Sequence, residues 1–237
     1  MPEAPELSRP PRARRRVQPT TPPPDSVSLP PADEPDDALP RRERKRREVR
    51  DRLYRAAVSL FTEQGFEATT MDAIAERADV ARATVFNYFA QKVTFLEEWG
   101  LRRRAYVARV MAANDFADQP VTEQVRRYFQ ELATLNLASR AQTAVLMDAS
   151  WRFGGLLRDP GPGRLLSQIV EAGIRRGEVR SDVDPALAGQ ILSTAYFSTV
   201  LRWIESEPPP FPLTEQLDKM LDIILRGLLA QKTAALT

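Results

Sequence analysis

Residues 69–92 read TTMDAIAERADVARATVFNYFAQK, and the fold turns on them. Met71, Ile74, Ala75 and Ala78 fall at i, i+3, i+4 and i+7, the spacing of a helix with one buried face. Asp79 breaks the apolar run, and aspartate is among the few residues besides glycine that tolerate a left-handed turn. A second short helix is predicted from Arg82 to Tyr88. Val85 and Phe89 lie four apart on one side of it, and Arg82, Thr84 and Asn87 turn away from them. Two helices joined by a turn of three or four residues, the second with a polar outer face, make a helix-turn-helix that enters the DNA major groove.

Upstream, a helix is expected from about Arg42 to Gln64. Leu53, Ala56, Ala57, Leu60 and Phe61 form its apolar stripe, and Gly65 sits where a helix end is released. Its opening, residues 41–52 (RRERKRREVRDR), holds eight Arg or Lys against three acids, and RARRR follows the same bias at 12–16. The net charge of +2 says little, but basic residues beside a groove-reading element supply sequence-independent attraction to phosphate. A solvated, charge-rich helix start is the alternative. Residues 1–40 hold twelve of the twenty prolines and almost no large apolar side chains, so they read as a disordered Pro/Arg-rich tail.

From Val49 to Leu96 the order and spacing resemble the TetR family of transcriptional regulators. The resemblance rests on Gly65-Phe66, Thr69-Thr70, Ile74-Ala75, the run Ala83-Thr84-Val85-Phe86-Asn87-Tyr88-Phe89, and Lys92. Three positions depart from the family pattern: Asp79 where it has Gly, Ala81 where it has a Ser-type cap, and Phe86 where members often place a phosphate-contacting Tyr. The resemblance implies an all-α chain. A three-helix DNA-binding domain would span 41–97, and a helical effector-binding and dimerisation domain 98–233. It also implies a ligand that moves the connecting helix, and last two helices that form an intersubunit bundle.

Composition excludes much else. There is no cysteine and no histidine, so disulfides, thiolate chemistry, His-based triads and His-ligated zinc are ruled out. No paired-acid constellation or nucleotide loop stands out, and no cofactor, metal or catalytic residue is expected. No apolar run reaches the eighteen or so residues needed to span a bilayer, and the amino terminus lacks a signal-peptide core. A soluble, cytoplasmic protein without a membrane partner is the expectation.

Beyond Lys92 every segment reads as helix: Gln91–Ala113, one opening at Pro120, Gln142–Phe153 closed by Gly154-Gly155, one after a loop at 159–163, Pro185 to about Glu205, and Thr214–Gln231. Asp184-Pro185 supplies a cap and a first-turn proline. In the last helix Leu217, Met220, Leu221, Ile223, Ile224, Leu225, Leu228 and Leu229 cover far more than the ~100° stripe that one packed face requires. A second face therefore calls for a second copy. The candidate interface is Ala188, Ile191, Leu192, Leu217, Leu221, Ile224 and Leu228, with the small residues Gly189, Ser193, Ala195 and Ser198 permitting close approach; one large core is the alternative.

On double-stranded DNA, Arg82 is assigned to base readout, because its fork suits guanine O6 and N7. Ala83 and Thr84 would meet a thymine methyl or backbone oxygen, and Asn87 and Tyr88 a phosphate or base. Thr69 or Thr70 would cap the first helix near a phosphate, and Lys92 would reach another. Thr69 with Asp72 could equally be a capping box, and Val85, Phe86 and Phe89 are assigned to the core. Candidates for an effector pocket are Tyr106, Phe129, Met147, Asp148, Trp151 and Phe197, each more readily explained as ordinary core except Asp148. With few buried charges in prospect, the effector is expected to be small and hydrophobic. A ligand-released homodimeric repressor on a near-palindromic operator is the leading reading. A helical interaction protein or activator of the same fold with altered or lost DNA binding, and an enzyme using Asp148 or Asp115, are the others.

Overall fold

The computed structural model describes residues 40–113, 116–153 and 161–228. The expected tail up to residue 39, Asp115, Gly154-Gly155, Asp159-Pro160, the Leu228 side chain and the chain beyond it lie outside the described residues. Among the described residues there are nine α-helices, one 3-10 turn and no strand. The helices are α1 (Arg41–Gln64), α2 (Met71–Arg77), α3 (Arg82–Tyr88), α4 (Thr94–Ala113), α5 (Val121–Ala138), α6 (Arg140–Arg152), α7 (Gly161–Arg175), α8 (Pro185–Ile204) and α9 (Leu213–Leu228). The all-α reading holds, and no helix among the described residues is long and apolar enough to cross a membrane.

The first three helices close around the stripe expected on α1. Leu53, Ala57 and Phe61 are fully buried, as are Ile74, Val85, Phe89 and Phe95. Four aromatic rings make this centre. Phe61 lies 5.1 Å from Phe66 and 6.3 Å from Phe95, and Phe89 stacks on Phe95 at 3.9 Å, each ring adding contact energy beyond its buried area. Gly65 ends α1 at φ 90°, a left-handed backbone that a β-carbon would strain, with its N–H donating to Phe61 O.

The connecting helix starts later than expected, at Thr94. Residues 91–93 form a turn whose Gln91 carbonyl accepts from both the Thr94 N–H (3.1 Å) and its hydroxyl (2.5 Å). α4 then runs without a break across the expected domain boundary at 97/98. In the larger part, α5, α7, α8 and α9 pack together around Phe129, Leu166, Leu192, Trp203 and Leu213. The 159–163 segment departs from expectation too, because residues 161–163 already belong to α7.

That early start has a purpose in packing. Gly163 on α7 approaches Gly189 on α8 so closely that a β-carbon on Gly189 would overlap the Gly163 carbonyl and the Ser167 hydroxyl. Asp184 caps α8 as expected, accepting from the N–H groups of Ala186 (2.8 Å) and Leu187 (3.3 Å), with Pro185 in the first turn. The small residues Ala188, Gly189 and Ser193 are buried here, so they serve the α7–α8 contact inside one protomer.

This corrects part of the expected dimer interface. Ala188, Leu192, Leu217 and Leu221 are all buried within the protomer. Leu213, Leu217, Leu221 and Leu225 recur every fourth residue, and all four point into the core, each worth roughly 1.5–3 kcal/mol by burial. Arg126 on α5 fastens the same helix by pairing with Asp222 and, at 3.7 Å, Asp218. The other face of α9 stays open, with Ile223 76% exposed and Met220 and Ile224 half-buried; on α8, Leu187 (54%) and Ile191 (46%) are exposed as well.

Candidate nucleic-acid interface

The turn between α2 and α3 is built by local chemistry. The Thr70 hydroxyl caps α2 by accepting from the Ala73 N–H at 3.1 Å. Asp79 adopts φ 51°, the left-handed turn expected from its side chain, and the following Val80 N–H returns to Ala75 O at 3.1 Å. Ala81 is extended and offers no side-chain cap to α3. Buried Val85 and Phe89 anchor α3 from beneath.

Its outer face therefore presents Arg82, Ala83, Phe86 and Asn87 to solvent, with Thr84 and Tyr88 at the margins. The Arg82 side chain is 68% exposed, holds Asp72 Oδ1 at 3.0 Å and lies 5.6 Å from the Phe86 ring centroid. Phe86, assigned to the core from the sequence, is instead 41% exposed. It stands one turn from Arg82 on the same side, turned out of the core that holds Val85. Beside Tyr88, an open groove of about 690 Å³ runs along Pro40, Arg42, Lys45, Arg46 and Val49 of the α1 opening. The basic run and the recognition helix thus share one surface, a juxtaposition that charge counting along the sequence could only suggest.

Two expected contacts are placed differently. Thr69 is buried; its hydroxyl donates to Gly65 O at 2.8 Å and accepts from Gln64 Nε2 at 3.2 Å. The α2 cap is Thr70, while Asp72 pairs with Arg82, so no Thr69–Asp72 capping box forms. Lys92 turns inward. Its ammonium donates to Phe66 O (2.6 Å), Thr69 O (2.8 Å) and Glu67 O (3.1 Å) and sits 4.5 Å from the Phe66 ring centroid. An ammonium has three donors, and all three are committed to the loop between α1 and α2. Burial pulls its pKa below the ordinary lysine value, with Glu67 opposing weakly.

Behind this surface, α1 and α4 are joined by a charged cluster. Arg102 holds Asp51 at 2.5 Å and Glu98 at 2.8 Å, and its guanidinium lies 4.1 Å from the Tyr54 ring. Arg50 reaches Glu98 at 2.7 Å and covers Phe89 at 4.7 Å. Burial alone would raise the Glu98 carboxyl, but the bonds and charges of Arg50 and Arg102 outweigh it and hold the group below its ordinary range.

The effector candidates divide. A cavity of about 40 Å³ between α4, α5, α6 and α8 is lined by Met147 and Phe197 together with Trp99, Leu132, Tyr128, Tyr196 and the two arginines Arg103 and Arg104. Phe129 lies in the core against Tyr196 (5.5 Å), and Tyr106 is half-buried without lining the cavity. Asp148 and Trp151 are corrected. Asp148 is exposed and pairs with Arg152 at 3.0 Å, and Trp151 is 48% exposed. The expectation of few buried charges is overturned as well, since Glu98, Arg102 and Arg103 are all buried, Arg103 at the cavity wall with the neutral amide of Asn136 behind it. Asn136 between two leucines was the signal available in the sequence.

Comparison with known proteins agrees with this architecture. Residues 53–99 match the family described as bacterial regulatory proteins, tetR family. The chain is similar to the HTH-type transcriptional repressor KstR of Rhodococcus jostii, 41% identical over 185 residues, which cover 76% of this chain and 84% of that one. It also resembles the HTH-type transcriptional regulator TcmR of Streptomyces glaucescens, 49% identical over 51 residues, 22% and 23% of the two chains. Among solved structures, the TetR-family repressor FadR of Thermus thermophilus, in complex with lauroyl-CoA, superposes with a TM-score of 0.62 at 28% identity, covering 78% of this chain and 98% of that one. With the family match lying over the helix-turn-helix and the similarity to a repressor extending along most of that repressor's length, the protein belongs to the TetR family of DNA-binding transcriptional regulators.

Proposed function

We propose that the protein represses transcription as a homodimer, with residues 41–97 reading half of a near-palindromic operator and residues 98–233 pairing with a second copy and receiving a small effector. The observation that carries this reading is the α3 face. Arg82, Ala83, Asn87 and Tyr88 stand outward over buried Val85 and Phe89, beside the exposed basic turns of α1. Arg82 would leave Asp72 for the O6 and N7 edge of a guanine. Thr84 would meet a methyl group or backbone oxygen, and Thr70, Lys45 and Arg46 would lie along phosphates, adding affinity that falls with salt.

Pairing is supported by the open apolar stripe of Leu187 and Ile191 on α8 and Ile223 on α9. A second copy of the same stripe is its natural cover, and a twofold pair reads half-sites about 34–36 Å apart or a multiple of that. An apolar effector is supported by the cavity's aromatic wall and by the lauroyl-CoA held by the similar Thermus thermophilus FadR. Gel shift of the full chain on the DNA upstream of its own gene tests the core of the proposal. Wild type retards a symmetric site, and Arg82→Ala weakens that binding by roughly tenfold or more. Retention of full affinity by Arg82→Ala, or no binding even at low salt, would overturn it.

A further inference from the structure

α4 carries two consecutive buried arginines with opposite surroundings. Arg102 is held by two carboxylates, Asp51 and Glu98. Arg103, only 6% exposed, has no carboxylate within ion-pair distance among the described residues. Its Nη2 donates to the Asn136 side-chain oxygen and, at 3.5 Å, to Leu132 O. Both of those bonds leave from Nη2, and the Tyr196 hydroxyl also stands within hydrogen-bonding reach of the guanidinium. Trp99 backs the guanidinium at 4.7 Å, and Asn136, itself fixed by the Tyr196 hydroxyl at 2.9 Å, holds the far side. Burial of the cation is costly unless it is compensated, and burial pulls the Arg103 pKa below the ordinary arginine value, with Tyr196 acting against it.

The positioned fork borders the cavity, whose wall also includes Leu132, Met147, Phe197, Tyr128 and the neighbouring Arg104. A buried, oriented guanidinium without a carboxylate partner, at the wall of a mainly apolar chamber, is the complement of an oxyanion on an apolar body. We propose that the effector is an apolar molecule bearing a carboxylate, and that Arg103 is the residue that binds this head group. The inference rests on the effector arm of the proposed function and adds the chemistry of the ligand's polar end. A chamber of about 40 Å³ admits no more than a few waters, so the acid enters by spreading the helices and selecting a wider state of the chain.

The test compares three probes of one chain length on the full-length protein by calorimetry at neutral pH, below micelle formation: dodecanoate, dodecanol and lauroyl-CoA. Dodecanoate is expected to bind roughly ten- to hundredfold tighter than dodecanol, the range of one charge-assisted contact. In Arg103→Gln that gap closes, whereas Arg103→Lys keeps part of it. Equal affinity for acid and alcohol in the wild type would refute the assignment. So would a gap that survives Arg103→Gln, or binding of lauroyl-CoA without binding of dodecanoate. If Arg103→Gln fails to fold, the wild-type ratio and Arg103→Lys still decide, loss of the ratio in the lysine variant counting against it. Gel shift on the same samples separates the two proposals. DNA binding without acid preference fails this inference alone, and acid preference without DNA binding fails the repressor reading alone.

Discussion

Replacing Lys92 by methionine separates a loop tie from a phosphate contact. Methionine keeps the length of the side chain and removes the charge and all three donors. In the folded chain those donors serve Phe66 O, Thr69 O and Glu67 O, and hydrogen bonds from charged groups contribute roughly 1.5–3 kcal/mol each. They share one ammonium whose desolvation offsets part of the gain, so a net loss of about 2–3 kcal/mol is expected. For a chain of this size that lowers the melting midpoint by about 4–12 °C, measured by circular dichroism or calorimetry. The salt dependence of DNA affinity is the second readout. Each lost phosphate contact would reduce its slope by about 0.9, and a residue spent on the loop leaves the slope unchanged. An unshifted midpoint together with a slope reduced by about one would refute the geometric reasoning and restore Lys92 to the phosphate backbone.

Three further outcomes follow from other contacts. Glu98→Gln should flatten the acid limb of stability. A carboxyl whose folded pKa is depressed stabilises the fold above its unfolded value of about 4.5 and loses that contribution as pH falls through the folded one, so wild type and variant should converge in acid in pH-dependent denaturation; an unchanged difference at all pH values would contradict this. Ile223→Glu, on the open face of α9, should shift the protein to monomer in light scattering and abolish operator retardation while leaving the helical circular dichroism intact; a persistent dimer would place the interface elsewhere. Ala81→Ser supplies the cap that α3 lacks and should stabilise the protein by about 1 kcal/mol in urea denaturation, whereas no change or a loss would mean that the α3 amides are already satisfied.

The helix-turn-helix was legible because its determinants are local. Apolar spacing and one turn-forming aspartate placed α3 at its observed ends, Arg82 and Tyr88, and the all-helical remainder followed from the same periodicity. Lys92 was not legible, because its partners are carbonyls more than twenty residues upstream that converge only when Gly65 turns the chain. The α8 residues show a second limit. Ala188 and Ile191 both suit an interface by composition, but only the packing of α7 buries the first and leaves the second exposed. Arg103 was hidden for a third reason. α4 is covered from two directions, so its polar residues do not gather on one face, and three arginines in a row read as a solvated strip.

The neighbouring pair Arg102 and Arg103 makes α4 a two-sided part. Consecutive residues on a helix point roughly 100° apart, so one guanidinium is fixed to α1 while the next borders the chamber. A helix turns as a rigid rod over so short a span. Any roll or slide of α4 that improves the grip at position 103 must shift Arg102 against Asp51 and Glu98 against Arg50, their partners on α1. The two ion pairs that cross to α1, Arg102–Asp51 and Arg50–Glu98, would then act as a detent, a mechanical catch that resists small displacements and gives way to large ones. The tie from α4 to the DNA-reading helices thus begins one peptide unit away from the chamber wall.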